Sequence, residues 1–214
     1  MEMAHIPPRR KGRPASFDRD AVLEKAMLAF WASGYETTSI SDLTGAMGIS
    51  APSLYAAFGD KKGLFLEAMH RYAGDPSDLA ASLDEAPTAR EAVAGMLEES
   101  AALFTGETTP RGCLLASAAA TGTKDAADVR AAMAQVRGAI RAVVAMRIER
   151  DVEDGLLPAE TNAGALADLA VAVIQGLSVL ARDGAERGTL IAVARASMTG
   201  WPGACAGAVE RHPG

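Results

Sequence analysis

The sequence predicts an all-α protein, with an N-terminal three-helix unit followed by a larger C-terminal helical domain. Apolar residues recur at three-to-four-residue spacing along most of the chain, as on the buried face of a helix. Ser, Thr, Asp and Asn stand where these segments begin, and Gly or Pro follows where they end. With 214 residues, of which 49% are apolar, the chain can form one medium and one small domain with separate cores.

Residues 1–16 are predicted to form a flexible basic arm. The run Arg-Arg-Lys-Gly-Arg-Pro contains Arg10 and Arg13. One interpretation is a solvated tail, because short basic runs are common. The other is an arm that enters DNA, because arginines favour the negative potential of narrow, A·T-rich minor grooves. Under the second interpretation Arg10 and Arg13 are DNA contacts.

The first helix is predicted over residues 18–31, with Gly34 as its C-terminal cap. An aromatic residue at helical spacing usually packs in a core, so Trp31 is interpreted as core and not as a cofactor contact. The predicted core face consists of Val22, Leu23, Ala26, Met27, Phe30 and Trp31.

Residues 37–62 predict two short helices, a tight turn between them and the start of a further helix. Ser39 and Asp42 have the spacing of a capping box for a helix over 39–47. Gly48 stands where the turn needs a left-handed residue. Ser50 caps the next helix, and Pro52 lies in its first turn, where a missing N–H is tolerated. This arrangement is a helix-turn-helix, which predicts DNA binding.

The second of these helices has a small outward face. Leu54 and Phe58, four residues apart, point inward, so alanine and serine side chains are left on the side that would approach base edges. Tyr55 can reach a phosphate with its hydroxyl. The candidate contacts on and beside the two helices are Thr38, Ser50, Ala51, Ser53, Tyr55, Ala57 and Lys61.

Lys61 and Lys62 begin the next helix, predicted over 61–72. Two ammonium groups at a helix N-terminus oppose the helix dipole, so we expect an anion, and not helix stability, to explain them. The buried face of this helix is predicted to consist of Leu64, Phe65 and Met69.

The segments FWASGYETTSISDL and SLYAAFGDKKGLF resemble the DNA-binding domain of the TetR family of bacterial transcriptional regulators, over about residues 14–72. The resemblance implies a DNA-binding domain over 17–72 and an effector-binding and dimerisation domain over 73–200. It also implies that Ser53, Tyr55, Ala57 and Lys61 contact DNA, with Tyr55 and Lys61 at the backbone. Family members often carry polar or long side chains at positions where this chain has alanine, which leaves Ser53 as the hydrogen-bonding side chain of the base-facing surface.

The C-terminal part predicts further helices. Residues 75–87 are expected to be a polar joint with one helical turn at 79–83. Thr88 and Glu91 have capping-box spacing for a helix that ends near residue 105, with Val93, Met96, Leu97, Leu103 and Phe104 inward. A loop over 106–112 and a short apolar helix follow. Longer helices are predicted over 125–154, 163–183 and 186–199.

The last two helices are apolar on more than one side. Such helices need a partner beyond their own core, so we predict a two-fold symmetric four-helix interface between two chains. The family resemblance implies the same homodimer. Residues 201–214 are predicted to be a flexible tail, with Trp201 as its anchor.

Cys113 permits two interpretations. Free cysteine packs as a small hydrophobic residue, which favours a buried structural thiol. Arg111 and the adjacent helix N-terminus would lower the pKa of the thiol and favour a reactive, sensing thiolate instead.

The residues predicted to line an effector pocket share an apolar or soft character, which indicates a small hydrophobic or electrophilic effector. Each is alternatively plain core. The candidates are Phe104, Cys113, Met133, Met146 and Gln175.

Charge and motifs exclude several function classes. The net charge is −6; residues 1–72 hold nine Lys/Arg against eight Asp/Glu, and residues 73–214 hold twelve against nineteen. The DNA-facing part is therefore the less acidic one. No zinc-protease, phosphate-loop or hydrolase motif occurs, and Cys113 and Cys205 lack metal-ligand spacing, so we expect no enzyme, cofactor or metal site.

The chain is expected to be cytoplasmic. It has no signal-peptide pattern at its start, and Asp168 and Gln175 interrupt its longest apolar run, so no membrane span is expected.

The functional hypothesis is a homodimeric, sequence-specific repressor that binds a palindromic operator in double-stranded DNA and is released by an effector. The alternative is a constitutive DNA-binding regulator without an effector.

Overall fold

The computed structural model describes residues 17–117 and 126–202. Within these residues it has ten α-helices and a short 3₁₀ turn, Met198–Gly200. The helices are α1 Arg19–Ser33, α2 Ile40–Met47, α3 Ala51–Phe58, α4 Lys61–Ala73, α5 Pro76–Asp84, α6 Ala89–Phe104, α7 Leu114–Ser117, α8 Ala127–Glu153, α9 Ala163–Arg182 and α10 Arg187–Ser197.

Helices α1 to α4 form an N-terminal head around an aromatic core. Phe65 of α4 meets the rings of Phe30 and Tyr35 edge to face, with centroid distances of 5.1 and 5.0 Å. Trp31 is also buried. Edge-to-face pairs add to the burial of apolar area, so α1 and α4 make a stiff frame that holds α2 and α3 on its outer side.

Helices α5 to α10 form the body, in which α9 packs against α6, α8 and α10. Helix α8 runs without a break through Gly138, and its predicted first residues near 125 lie outside the described part. The expectation that Leu103 points inward is wrong, because its side chain is 46% exposed. One half of the capping box predicted at α6 is formed: the Thr88 hydroxyl accepts a hydrogen bond from the Glu91 amide at 3.2 Å.

The polar joint predicted over 75–87 is instead a nine-residue helix, α5. Asp75 caps it by accepting a hydrogen bond from the Ser77 amide at 2.8 Å. Pro76 occupies the first helical position, where its fixed φ favours helix initiation. Leu83 is buried at the far end of the helix. The helix therefore starts at this proline and is longer than the single turn expected over 79–83.

A buried ion pair ties the α5–α6 connection to α8. The Arg147 guanidinium pairs with Asp151 one turn later and also donates to the carbonyls of Leu83 and Ala86. The second oxygen of Asp151 accepts from the Ala89 amide at 2.6 Å, which satisfies the first N–H of α6. Because each charge has several partners, the pair fixes the position of this connection.

The predicted arm over 1–16, with Arg10 and Arg13, lies outside the described residues, as does residue 203 onward. Trp201, predicted to anchor the C-terminal tail, is buried in the hydrophobic core.

Candidate functional site

The helix-turn-helix forms with the predicted caps. Ser39 and Asp42 exchange hydrogen bonds, with the Asp42 amide 3.1 Å from the Ser39 hydroxyl and the Ser39 amide 2.9 Å from the Asp42 carboxylate. The Ser39 hydroxyl, which donates to the Asp42 carboxylate at 2.6 Å, and the Ser39 amide hold the pKa of Asp42 below its usual value. Gly48 has a φ of 71°, so the turn uses the left-handed conformation that glycine adopts without strain.

Helix α3 presents the expected outward face. Leu54 and Phe58 are buried, whereas the Tyr55 side chain is 47% exposed. The Ser50 hydroxyl accepts from the Ser53 amide at 3.3 Å and lies 2.9 Å from the Ser53 hydroxyl. Ser50 therefore acts mainly as the N-cap of α3. The hydroxyl on the half-exposed side of the helix is that of Ser53. The other half-exposed residues of this face are Ala51 and Ala57.

Arg19 holds α3 against α4, a role that the sequence analysis missed. Its guanidinium lies 4.6 Å from the centre of the Phe58 ring and 2.6 Å from the Glu67 carboxylate. It also donates to the Ala57 carbonyl at 3.5 Å. These partners lie 38 or more positions away along the chain, so no local pattern could reveal them.

Thr38 is not placed to contact DNA through its side chain. The residue is 2% exposed, and its hydroxyl donates to the Gly34 carbonyl at 2.6 Å. Threonine at this position closes the corner between α1 and α2, so its effect on binding is to position α2.

The two lysines that begin α4 have protein partners, which corrects the argument that only an external anion explains them. Lys61 lies 4.6 Å from the centre of the Tyr35 ring and donates to the Glu36 carbonyl. Burial lowers the pKa of Lys61, while Glu36 acts to raise it. Lys62 pairs with Asp128 of α8 at 2.9 Å, and this hydrogen bond raises the pKa of Lys62. The groups that stabilise both lysines come from outside the helix, so the helix dipole alone does not explain their position.

Cys113 lies where the head meets the body. It is buried, and its Sγ accepts a hydrogen bond from the Tyr72 hydroxyl of α4 at 3.3 Å. Its amide donates to the Ser178 hydroxyl of α9 at 2.8 Å. Burial raises the pKa of Tyr72, and the Cys113 thiol raises it further, so the phenol stays a proton donor. Cys113 is thus hydrogen-bonded both to the last turn of α4 in the head and to α9 in the body.

Gly112 allows the head and the body to approach each other closely beside Cys113. Its carbonyl accepts from the Trp31 indole N–H of α1 at 2.8 Å. It has a φ of 79°, and a Cβ there would lie 2.8 Å from Arg182 Cγ and 2.9 Å from the Ser178 carbonyl oxygen. Arg182 in turn donates to the Trp31 carbonyl. Only glycine satisfies both the backbone conformation and the space at this position.

A cavity of about 260 Å³ opens beside Cys113. Phe104, Cys113 and Gln175 line it, as three of the five predicted pocket residues. Its other lining residues come from α4 to α9 and are Tyr72, Ala73, Leu79, Met96, Ser100, Leu103, Leu115, Arg137, Ile140, Val171 and Ile174.

Two predicted pocket residues lie elsewhere. Met133 is packed in the core at 1% exposure, and Met146 is 57% exposed beside a separate cavity of about 120 Å³. The five candidates were chosen for their mostly apolar character, which does not determine which residues leave a void between them.

The last two helices leave apolar side chains uncovered in the single chain: Leu169, Val179, Leu180 and Val193. Helix α9 is long and apolar enough to cross a membrane by length and composition, and only 28% of its most apolar stretch is buried. Among the described residues no group of three or more His, Cys, Asp or Glu could hold a metal ion.

Comparisons with known proteins agree with this geometry. Residues 22–68 match the family model for bacterial regulatory proteins of the tetR family, and residues 88–196 match the tetracyclin repressor-like C-terminal domain. The chain is 34% identical to the HTH-type transcriptional repressor ComR of Escherichia coli (strain K12), over 90% of this chain and 92% of ComR.

A solved structure is also similar. It holds a cysteine-substituted form of the TetR family transcriptional regulator CifR in complex with 26-base-pair double-strand operator DNA. The identity is 45% and the TM-score 0.85, over 89% of this chain and 100% of CifR. With both domains matched and nearly the whole chain aligned, this chain belongs to the TetR family of DNA-binding transcriptional regulators and is not an enzyme.

Proposed function

We propose that this chain is a homodimeric repressor that binds a palindromic operator and leaves it when a small hydrophobic or electrophilic effector occupies the cavity beside Cys113. The observation that carries the proposal is the bond from Tyr72 of α4 to Cys113 at the wall of that cavity. A change at the cavity can therefore act directly on the helix that follows the DNA-reading unit.

Operator binding is supported by the exposed face of α3 and by the two relatives. ComR is named a transcriptional repressor, and CifR has been solved with operator DNA. On this basis Ser53 and Ala57 lie at base edges, and Tyr55 and Lys61 lie at phosphates. Contact with a phosphate would draw the Lys61 ammonium from the Glu36 carbonyl, where it donates at 3.3 Å. Binding to genomic DNA implies a cytoplasmic protein.

The homodimer is supported by the uncovered face of α9 and α10. Val179 is 55% exposed and Leu169 43% in the single chain. A second copy related by a two-fold axis would cover both side chains. It would also place one α3 helix at each half-site of a palindromic operator. Val179→Glu puts a charge in that interface, so we expect a monomer by light scattering and loss of operator affinity. A dimer that survives Val179→Glu and a second charge at Leu169 would contradict this interface.

Release by an effector is supported by the position and lining of the cavity. An effector that favours the released conformation by about 100-fold supplies about 2.7 kcal/mol of coupling. An electrophile would act by forming a covalent bond to the Cys113 sulfur with loss of the thiol proton, and the added group would displace the Tyr72 hydroxyl from the sulfur. An apolar ligand would act by pushing apart the helices that line the cavity.

The test is fluorescence anisotropy of a labelled fragment from the region upstream of the gene, with unrelated competitor DNA, before and after a quinone or peroxide. We expect specific binding that the reagent abolishes in wild type and in Cys205→Ser, but not in Cys113→Ser. Release that persists in Cys113→Ser would remove the thiol from the mechanism. If neither reagents nor apolar ligands affect specific binding, the protein is a constitutive regulator.

A further inference from the structure

The cavity beside Cys113 contains one charged residue among the described residues that line it, Arg137 of α8. The rest of the wall is mainly apolar, with Leu79, Phe104, Ile140 and Ile174 among its residues. A volume of about 260 Å³ lies near the lower end of ligand pockets, which span about 300–1,000 Å³. The cavity therefore suits a small molecule that is mostly apolar but has one polar end.

Arg137 differs from the arginines that follow it on α8. Arg141 pairs with Asp168, Arg147 with Asp151 and Arg150 with Asp84. Among the described residues, no carboxylate lies within ion-pair distance of Arg137. One nitrogen, Nη1, donates to the Leu115 carbonyl at 2.8 Å. A guanidinium has five N–H donors in a planar fork, so most of its capacity to bind an anion remains unused.

Gln175 of α9 adds a second polar group to the same cavity. It is half-buried, and its carboxamide makes no hydrogen bond to any described residue. The Tyr72 hydroxyl is already committed to Cys113. Ser100 already donates to the Met96 carbonyl at 2.8 Å, and none of the described lining residues is Asp or Glu. The free polar groups of the described wall are thus a cation and an amide that can donate.

We propose that the effector is a small amphipathic monocarboxylate, with its carboxylate on Arg137 and Gln175 and its chain or ring against the apolar wall. This inference rests on the proposed function, because it names the class of ligand for the same cavity. Arginine binds a carboxylate through two parallel hydrogen bonds, which a neutral ligand of the same length cannot form.

The position of Arg137 also supplies a route to the head. Its bond to Leu115 holds α7, which begins directly after Cys113. A carboxylate that competes for the guanidinium would loosen the Leu115 carbonyl, two residues from the thiol that Tyr72 contacts. The ligand thereby acts on the same junction as modification of Cys113 would, but without a covalent bond.

The test compares carboxylates with alcohols of equal chain length: butanoate with butanol, hexanoate with hexanol and octanoate with octanol. Thermal unfolding and operator anisotropy are measured on the wild-type full-length protein, because neither carboxylates nor alcohols form a covalent bond with the Cys113 thiol. We expect at least one carboxylate to raise the unfolding temperature and to release the operator at about tenfold lower concentration than its alcohol.

Variants assign the effect to Arg137. Arg137→Met should remove the preference for the carboxylate, and Arg137→Lys should keep part of it. Arg141→Met, one turn further along α8 and outside the cavity wall, should leave the preference unchanged. If Arg137→Met unfolds because α7 loses its bond, Gln175→Leu tests the same site without touching that bond, and should weaken the preference severalfold.

Equal action of each carboxylate and its alcohol would overturn the proposal, and so would no action by any pair. A preference that survives both Arg137→Met and Gln175→Leu would place the anion elsewhere and overturn it too. A failure of the proposed function is distinguishable from a failure of this inference, because a lack of specific operator binding would be seen before any ligand is added. Release by a quinone in the wild-type protein, without any response to carboxylates, would leave the proposed function standing and this inference overturned.

Discussion

The head, α1 to α4, and the body, α5 to α10, bury their apolar residues in different ways. The head encloses Phe30, Trp31 and Phe65 at 2% exposure or less, in edge-to-face contact with one another or with neighbouring tyrosines. The body and α4 of the head enclose between them cavities of about 260 and 310 Å³ that share Ala73, Leu79 and Ile140 as walls.

The difference corresponds to what each region has to do. A helix that contacts base edges must be held in a fixed position, and close packing resists displacement. A region that changes on ligand binding needs space and alternative contacts, because packed interiors move between discrete arrangements and do not deform smoothly. The two regions meet at Gly112 and Cys113, which contact α1, α4 and α9.

The largest expected effect is on the head core. Phe65→Ala should lower the free energy of unfolding by about 3–5 kcal/mol, because it leaves a cavity between Phe30 and Tyr35. Leu103→Ala, in the cavity wall of the body at 46% exposure, should cost about 1 kcal/mol or less. Urea unfolding of both variants measures the difference, and equal losses would contradict the contrast between the two interiors.

The junction is tested next. Gly112→Ala adds a Cβ within 3 Å of Arg182 and Ser178 at a positive φ, so we expect a loss of about 2–3 kcal/mol and weaker coupling between effector and operator. Gly138→Ala is the matched control: its Cβ meets nothing within 4 Å, in the interior of α8, and should stabilise by about 0.5–1 kcal/mol. A Gly112→Ala protein with wild-type stability would show that Arg182 and Ser178 can move to accommodate a Cβ at this position, and would contradict the prediction.

The function of the head surface is tested with Tyr55→Phe and Lys61→Ala. Both should weaken binding to all DNA sequences, by about threefold to tenfold each, because they remove phosphate contacts. Lys61→Ala should also reduce the slope of log affinity against log salt by about one per head. Lys25→Ala, which removes a charge from an exposed position on α1, is the control. An unchanged salt slope in Lys61→Ala would exclude this lysine from the contacts.

A smaller effect is expected at the ion pair between head and body. Asp128→Asn removes the partner of Lys62 and leaves its ammonium free near the start of α4. Both side chains are largely exposed, and exposed pairs contribute little, so operator affinity should rise by about fivefold at most. Asp78→Asn removes an exposed acidic charge from α5 as a control. A fall in affinity for Asp128→Asn would mean that the pair positions α4 for binding.

The smallest effect is the pH dependence of the α2 cap. Ser39 depresses the pKa of Asp42 below 3.8, so its contribution to stability is present above about pH 4 and is lost as the pH falls through the folded-state pKa. The stability difference between wild type and Asp42→Asn should therefore shrink on acidification. Urea unfolding at several pH values measures it, and a difference that grows at low pH would contradict the assigned sign.

Sequence patterns specified the head more fully than the body. Ser39, Gly48, Ser50 and Pro52 act on backbone groups within a few residues of themselves, so their spacing predicted the caps and the turn. The same local logic failed for residues 75–87, where a polar joint was predicted in place of helix α5. It also failed for Lys62, whose partner Asp128 lies 66 positions away.

What the sequence determined by itself is therefore the helical periodicity, the helix-turn-helix and most inward positions of the helices that it predicted, because these depend on local hydrogen bonds and on spacing. Tertiary structure decided which inward residues leave a void. It separated Phe104, Cys113 and Gln175, which share a cavity, from Met133 and Met146, which do not. It also joined Cys113 to Tyr72 and gave Arg137 no carboxylate partner among residues 17–117 and 126–202. Such features depend on how helices distant in sequence pack, and periodicity along one helix carries no information about its neighbours.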